Sequence, residues 1–138
     1  MPESLRDLLE GPVTISLATL MADGTPQVQP VWCGYDGTHI WINTEKGRQK
    51  YRNLSRRRKA TVLAVDPNND NRWVEVRGAV VEETEAGAFE HIDELARLYL
   101  GLDDYPWNRD GDIRVIFKIA PERVNSMETT MPERESDD

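Results

Sequence analysis

Two Asp-Gly pairs, each set between short segments of alternating hydrophobic and polar residues, limit the fold of this chain more than any other feature. The pairs are Asp23-Gly24 and Asp36-Gly37. Asp-Gly is favoured in tight antiparallel turns because glycine readily adopts the positive φ that these turns need. Alternation places every second side chain on the same face, as in a half-buried strand. The sequence therefore predicts three consecutive antiparallel strands, over residues 13–20, 27–33 and 39–43.

The rest of the chain adds helical segments and three further strands. A short helix containing Leu5, Leu8 and Leu9 is predicted ahead of the first strand, and a longer helix is predicted over 85–100. Thr44 is placed to cap the start of another helix. The further strands are predicted over 60–65, 73–81 and 113–119.

Six short, mostly antiparallel strands with inserted helices are typical of a small closed β-barrel, so the expected fold class is mainly β. No internal repeat or linker divides the chain, and residues 1–124 are expected to form a single domain. The polar segment 125–138 is expected to be partly disordered. A barrel of 138 residues has a filled interior, so a ligand must bind on its outside or between subunits.

Composition excludes several classes of protein. A single cysteine excludes an internal disulfide and a cysteine-rich zinc cluster, and we expect no metal site. The longest uncharged stretch, 11–22, is too short and too polar to cross a bilayer. The first residues lack the basic start and apolar run of a signal peptide, so we expect a cytoplasmic protein.

The charge is distributed unevenly, with 17 basic and 25 acidic residues and a net charge of −8. Residues 46–59, here called the basic segment, hold eight of the 17 basic residues and no acidic one. The remaining acidic surface should repel nucleic acids and acidic membranes, so a small anion is the expected partner. A nucleic-acid module using residues 56–59 is the rival interpretation, but Tyr51 is the one aromatic residue of the segment available for base stacking. The basic residues are Lys46, Arg48, Lys50, Arg52, Arg56, Arg57, Arg58 and Lys59.

The junction between the third strand and the following helix is the best candidate for a binding site. Unpaired N–H groups at a helix start favour an anion, and Arg48 and Lys50 lie in the first turns. An exposed cationic helix face is the alternative explanation. Common catalytic motifs are absent from the sequence; His39 and His91 are expected at the surface, and Cys33 is expected to be an ordinary residue of the barrel wall.

The segment 43–54, with its Lys-x-Arg-Asn-Leu core ending at Leu54, resembles the cofactor-binding segment of the pyridoxamine 5′-phosphate oxidase-like split-barrel flavoproteins. It resembles most closely their branch that uses the deazaflavin coenzyme F420. The resemblance covers nearly the whole chain in order. Further matching segments are 17–20, 23–27, 30–32, 73–78, 91–101, 105–107 and 121–124.

The resemblance implies an FMN-binding type of split β-barrel, assembled as a homodimer with two cofactors between the subunits. It implies that Arg48 and Lys50 hold the cofactor phosphate with Asn53 beside them, and that Trp73 and Arg77 reach in from the partner subunit. The substrate is expected to be a small molecule stacked near Trp32 or the 105–107 loop. The residues that would flank the cofactor ring are Gln27, Val31, Trp32, Ile42, Asn43 and Thr44.

Departures from the family pattern narrow the expected activity. The segment 28–33 lacks the first Arg and the last Lys of the vitamin B6 oxidases, so oxidation of pyridoxamine phosphate is not expected. The extra basic residues suit F420, whose tail is anionic, and FMN is the alternative. We expect a hydride-transferring oxidoreductase, with a non-catalytic carrier or sensor of the same cofactor as the rival. Candidates for the F420 tail are Arg52, Arg56, Arg57 and Arg58.

Overall fold

The computed structural model describes residues 1–129 and confirms a mainly β fold, with 46% strand and 22% helix. A 3-10 turn (Glu3–Leu5) and helix α1 (Asp7–Glu10) precede the first strand, and α2 (Gln49–Arg57) and α3 (Ala88–Leu100) interrupt the strands. The strands are β1 (Ile15–Leu20), β2 (Pro26–Val31), β3 (Gly34–Tyr35), β4 (Ile40–Glu45), β5 (Lys59–Asp66), β6 (Asn69–Thr84) and β7 (Arg114–Glu128).

All seven strands form one antiparallel sheet in the order β2-β1-β5-β6-β7-β4-β3, curled into a half-barrel. Within residues 1–129, the expected closed barrel of six strands is thus an open sheet of seven, with β3 as the additional strand. Both Asp-Gly turns are confirmed: Gly24 and Gly37 have φ of 86° and 93°, and each preceding aspartate accepts a backbone N–H at 2.9 or 2.8 Å. The expected pairing of β2 with β4, which corresponds to the third predicted strand, is wrong. Pro26 and Pro30 lack an N–H, which suits β2 to the sheet edge, and β4 pairs with β7 instead.

The last strand is longer than predicted. Trp73 in β6 lies opposite Met127, and Arg72 lies opposite Glu128. The domain end expected at Val124 therefore lies inside β7, because backbone pairing with β6 continues as far as Glu128. Residues 130–138 of the predicted tail lie outside the described residues.

The core lies on the concave face of the sheet. Leu17, Val62 and Phe117 are almost completely buried there, and the leading helix predicted from Leu5, Leu8 and Leu9 packs against the same cluster. Alternation sends the intervening side chains to the convex face, here called the outer face. Cross-strand pairing places the following residues on the outer face: Ala18, Val28, Pro30, Leu63, Trp73 and Arg77.

No helix within residues 1–129 has the length and apolar character needed to span a membrane.

Candidate functional site

A cleft of about 380 Å³ opens between the end of β2 and strand β4, where the curled sheet does not close. Helix α3 and the loop that follows it form the opposite wall. The lining residues are Thr14, Pro30, Val31, Trp32, Asn43, Thr44, Glu45, Arg48, Lys50, Ile92, Leu95, Tyr105, Trp107 and Arg114.

One end of the cleft is cationic. Arg48 takes the N-cap position of α2, where no side chain caps the helix and no acidic residue lies in the first turn. Lys50 is half-buried and donates to Gln29 Oε1 at 3.3 Å; within residues 1–129 it forms no ion pair. Burial and the nearby charge of Arg48 lower the pKa of Lys50. An anion bound at this end would oppose both effects.

A third cation, Arg114, is fixed deeper in the wall. Its side chain is only 4% exposed. It donates to Asn43 Oδ1 at 3.0 Å, to Glu45 Oε1 at 3.0 Å and to Asn108 Oδ1 at 2.9 Å. Its guanidinium carbon lies 4.5 Å from the centre of the Tyr105 ring. The cleft is thus lined by three cations and one carboxylate, and it favours an anionic ligand.

The other end of the cleft is aromatic. Trp32 stacks on Tyr99 with ring centroids 5.1 Å apart, and Tyr105 meets Trp32 edge-on at 6.0 Å. Trp107, 58% exposed, continues this wall edge-on to Tyr105 at 5.5 Å. Ile92 and Leu95 of α3 add apolar surface. A planar ring system can therefore be held at one end of the cleft and an anionic group at the other.

The cleft brings together many of the residues predicted from the sequence. Its lining includes Val31, Trp32, Asn43, Thr44, Arg48 and Lys50.

The other predicted site residues lie elsewhere in the chain. The Ile42 side chain is completely buried in the core. Asn53 is also buried, and it donates to Thr19 Oγ1 at 3.0 Å and, more weakly, to Gln27 Oε1 at 3.4 Å. Trp73 and Arg77 lie on the outer face.

Two expectations about local structure are wrong. Thr44 does not cap α2: it is buried in β4, opposite Val115, and the helix begins five residues later at Gln49. Pairing with β7 extends β4 beyond the point where the local pattern ends. His91 is not at the surface, because its ring packs beside Trp41 and Asn43 and is 6% exposed.

Burial lowers the pKa of His91 to about 4, so the ring is neutral at pH 7. Asn43 Nδ2 lies 3.1 Å from His91 Nδ1. Cys33 is buried as expected, and burial raises the pKa of its thiol to about 12. A thiol with that pKa is not a nucleophile at neutral pH.

Most side chains of the basic segment form ion pairs or hydrogen bonds with other residues of the chain. Lys46 pairs with Glu85 and Lys59 with Glu122, both at 2.9 Å, and Arg58 pairs with Glu83 at 3.5 Å. Arg52 donates to the Gly47 carbonyl, and Arg57 donates to the Leu20 carbonyl. Arg48 also pairs with Glu45, at 3.8 Å, but Arg48 and Lys50 line the cleft, a difference that the charge count alone could not show.

Sequence reasoning missed Arg114 and the burial of His91. The only local signal for Arg114 is its position at the start of a hydrophobic strand, where a charged residue is expected to point outward. Its partners Asn43 and Glu45 are about seventy residues away in the sequence, and only strand pairing brings them together.

Comparison with known proteins identifies the family. The family model described as pyridoxamine 5′-phosphate oxidase matches residues 1–128. The chain belongs to the pyridoxamine 5′-phosphate oxidase family. No curated protein sequence matches it.

Solved structures resemble this pyridoxamine 5′-phosphate oxidase family member over most of its length. An F420 reductase is 32% identical with a TM-score of 0.80, covering 91% of this chain and 98% of its own. A conserved hypothetical protein from Mycobacterium tuberculosis is 24% identical with a TM-score of 0.70, covering 99% and 94%. HutZ, the haem storage protein from Vibrio cholerae, is 14% identical with a TM-score of 0.65, covering 90% and 92%, and shares the fold. The split-barrel fold predicted from the sequence is confirmed.

Proposed function

We propose that this protein is an oxidoreductase that binds F420 in the cleft between β2 and β4, with FMN as the alternative cofactor, and that it acts on a small organic substrate. The observation that carries the proposal is the pairing of a cationic end, Arg48 and Lys50, with an aromatic end in one cleft. The 32% identity to an F420 reductase over 91% of the chain supports the choice of F420.

The residues present fit the anionic part of such a cofactor. Lys50 is half-buried near Arg48 with no carboxylate paired to it in the described chain, which is unfavourable unless an anion binds. The uncapped start of α2 supplies N–H groups whose partial positive charge favours the same anion. Arg48 adds a planar donor pair and Lys50 a compact charge.

The residues at the other end fit a planar ring. Val31 and Trp32 at the end of β2 and Thr44 in β4 provide the floor, and Ile92 and Leu95 exclude water from the side of α3. When bound, F420 supplies hydride transfer, and FMN supplies hydride or electron transfer. The protein's part is to hold the phosphate, orient the ring and leave one ring face open toward Tyr105 and Trp107.

The F420 tail has fewer candidate partners than the sequence suggested. Arg52 and Arg57 donate to backbone carbonyls, and Arg58 pairs with Glu83. Arg56 is exposed on α2 and forms no side-chain hydrogen bond or ion pair within residues 1–129. Arg56 is therefore the first residue of the basic segment to test for a contact specific to F420.

A homodimer is part of the proposal. Pro30 on the outer face also lines the cleft, so the outer face extends to the cofactor site. Apolar residues are exposed on this face, with Val28 63% exposed and Leu63 36% exposed. A second copy seated there would cover them and bring its own Trp73 and Arg77 toward the cleft, as the family resemblance implies.

Direct titration of the purified full chain with F420 and with FMN tests the proposal. Lys50→Gln and Arg48→Gln should each weaken binding, by about 1.5–3 kcal/mol for each charged hydrogen bond lost. Arg56→Gln is the matched control: it lies on the same helix but outside the cleft, so it should leave FMN affinity unchanged. If neither F420 nor FMN binds, the proposal is overturned.

Turnover separates an enzyme from a carrier. The reduced cofactor is mixed with the protein and a panel of quinones and enones, and its oxidation is followed by absorbance. Oxidation that depends on the protein supports an oxidoreductase. Tight binding with no oxidation across the panel favours the carrier or sensor.

A further inference from the structure

His91 and Arg114 are joined through one side chain, the amide of Asn43. The amide nitrogen Nδ2 donates to the Ala88 carbonyl at 2.8 Å and lies 3.1 Å from His91 Nδ1. The amide oxygen Oδ1 accepts a hydrogen bond from Arg114 Nη1 at 3.0 Å. Asn43 and Arg114 line the cleft, whereas His91 lines a separate cleft beside Gly34 and Trp41.

The three hydrogen-bonding partners of Asn43 are all satisfied by the same orientation of its amide group. The Ala88 carbonyl can only accept and the Arg114 guanidinium can only donate, so Nδ2 must face Ala88 and Oδ1 must face Arg114. The second hydrogen of Nδ2 is then directed at His91, which must accept it on an unprotonated Nδ1. Only the neutral ring that carries its hydrogen on Nε2 meets this requirement.

We propose that His91, acting through Asn43, fixes the orientation of Arg114 in the cleft and so positions this cation for the anion bound there. The identity of that anion as a cofactor rests on the proposed function. The hydrogen-bond relay itself depends only on His91, Asn43 and Arg114.

The surroundings of each residue support this role. Burial holds the His91 ring neutral, as the relay requires, with a pKa of about 4. Glu45, Asn108 and the Tyr105 ring hold Arg114 on its other sides. Asn43 therefore supplies a direct hydrogen bond from the guanidinium to a side chain that α3 holds in place. If His91 lost its acceptor, the second Nδ2 hydrogen would have no partner, and Asn43 would be held less firmly in the position from which Oδ1 accepts from Arg114.

The wild-type protein gives the first test. Nitrogen-15 NMR of the histidine rings at pH 7 should show His91 neutral, with Nδ1 unprotonated and Nε2 carrying the hydrogen. A hydrogen on Nδ1, or a charged ring, would overturn the proposal. This measurement needs no ligand, so it stands even if neither F420 nor FMN binds.

Substitutions at His91 give the second test, read from the Arg114 Nη–H signals, since Nη1 is the atom bonded to Asn43, and from titrations with FMN, F420 and inorganic phosphate. His91→Leu removes the acceptor, and we expect a displaced Arg114 signal and binding weaker by roughly 3- to 10-fold. His91→Gln restores an acceptor oxygen and should recover much of both. His39→Leu is the matched control, because within residues 1–129 the His39 ring makes no hydrogen bond to Asn43 or Arg114.

An unchanged Arg114 signal in His91→Leu would overturn the relay. Asn43→Asp provides a second variant, which can be measured even if His91→Leu does not fold. A carboxylate presents only acceptors to His91, so the ring must gain a hydrogen on Nδ1 to keep the contact. A His91 Nδ1 that stays unprotonated in Asn43→Asp would also overturn the proposal. If neither cofactor binds wild-type protein while both NMR results are as expected, the proposed function fails and the relay stands.

Discussion

Tyr99 stacks on Trp32 with 16° between the ring planes, and its hydroxyl group reaches past the stack to the backbone at Val13 and Cys33. The hydroxyl donates to the Val13 carbonyl at 2.8 Å and accepts from the Cys33 N–H at 3.3 Å. One side chain of α3 thereby joins the segment before β1, the end of β2 and the aromatic wall. The geometry of the aromatic end depends on this contact.

Tyr99→Phe keeps the stacking and removes both hydrogen bonds. Leaving the Val13 carbonyl and the Cys33 N–H without this partner should lower the free energy of unfolding by about 1–2 kcal/mol. Urea unfolding at pH 7 measures the loss. Tyr35→Phe is the control, because the Tyr35 hydroxyl makes no side-chain hydrogen bond within residues 1–129. Equal losses in the two variants would show that the Tyr99 hydroxyl contributes nothing specific.

The buried neutral His91 should make the protein less stable as the pH falls. Its pKa is about 4 in the folded state, below the ordinary histidine value of 6.5 that applies to the unfolded chain, so the unfolded state binds the proton more readily. The contribution of the neutral His91 ring to the free energy of unfolding is fully present above about pH 6.5 and is lost as the pH falls toward 4. Between pH 7 and pH 5 the free energy of unfolding should drop by about 2 kcal/mol from this residue.

The contribution of His91 is isolated by difference. Acidic groups also titrate below pH 5, so the pH dependence of wild-type protein is compared with that of His91→Gln, which keeps every carboxylate. We expect a flatter profile for His91→Gln over this range. Identical profiles would mean that His91 is not held neutral by the fold.

The parts of the fold that are predictable from the sequence are those where local pattern and tertiary structure agree. Leu17 and Phe117 occupy alternating hydrophobic positions of their strands and are buried, and both Asp-Gly turns form where glycine tolerates positive φ. Pro30 is typical of an edge strand because proline has no N–H to donate to a neighbour, and β2 does lie at the sheet edge. The prediction for Thr44 is wrong because pairing with Val115 continues β4 beyond its local pattern.

The candidate site is only partly predictable for the same reason. Arg48 and Lys50 can be recognised because a helix start with adjacent cations favours anions regardless of what surrounds it. Arg114 and His91 have no such local signal. Each acquires its role from Asn43, which lies 71 residues before Arg114 and 48 residues before His91 in the sequence.

Two glycines should tolerate alanine very differently. A Cβ at Gly78 would collide with the Ala120 carbonyl oxygen across the bulge between β6 and β7, and the backbone there cannot move independently of the sheet. Gly78→Ala should therefore destabilise by roughly 1–3 kcal/mol or more. At Gly34 the nearest atom is His91 Nε2, 3.2 Å away, and that side chain can shift.

Thermal unfolding of both variants measures the difference. Gly34→Ala should cost less stability than Gly78→Ala and should disturb the NMR signals of His91, whereas Gly78→Ala should leave those signals in place if it folds. Equal melting temperatures for the two variants would contradict the steric argument.

The proposed dimer makes the outer face the most informative surface for mutation. Val28→Glu and Leu63→Glu place a charge among exposed apolar residues of β2 and β5. If a second copy covers this face, the charge must be buried there, which is costly without a partner. We expect each variant to be a folded monomer by light scattering, with weakened cofactor binding because Trp73 and Arg77 of the second copy are lost. Phe89→Glu on α3 is a control of similar exposure outside the outer face, and it should remain dimeric. If the wild-type protein is a monomer and binds the cofactor as such, one protomer forms the complete site and the proposed dimer is wrong.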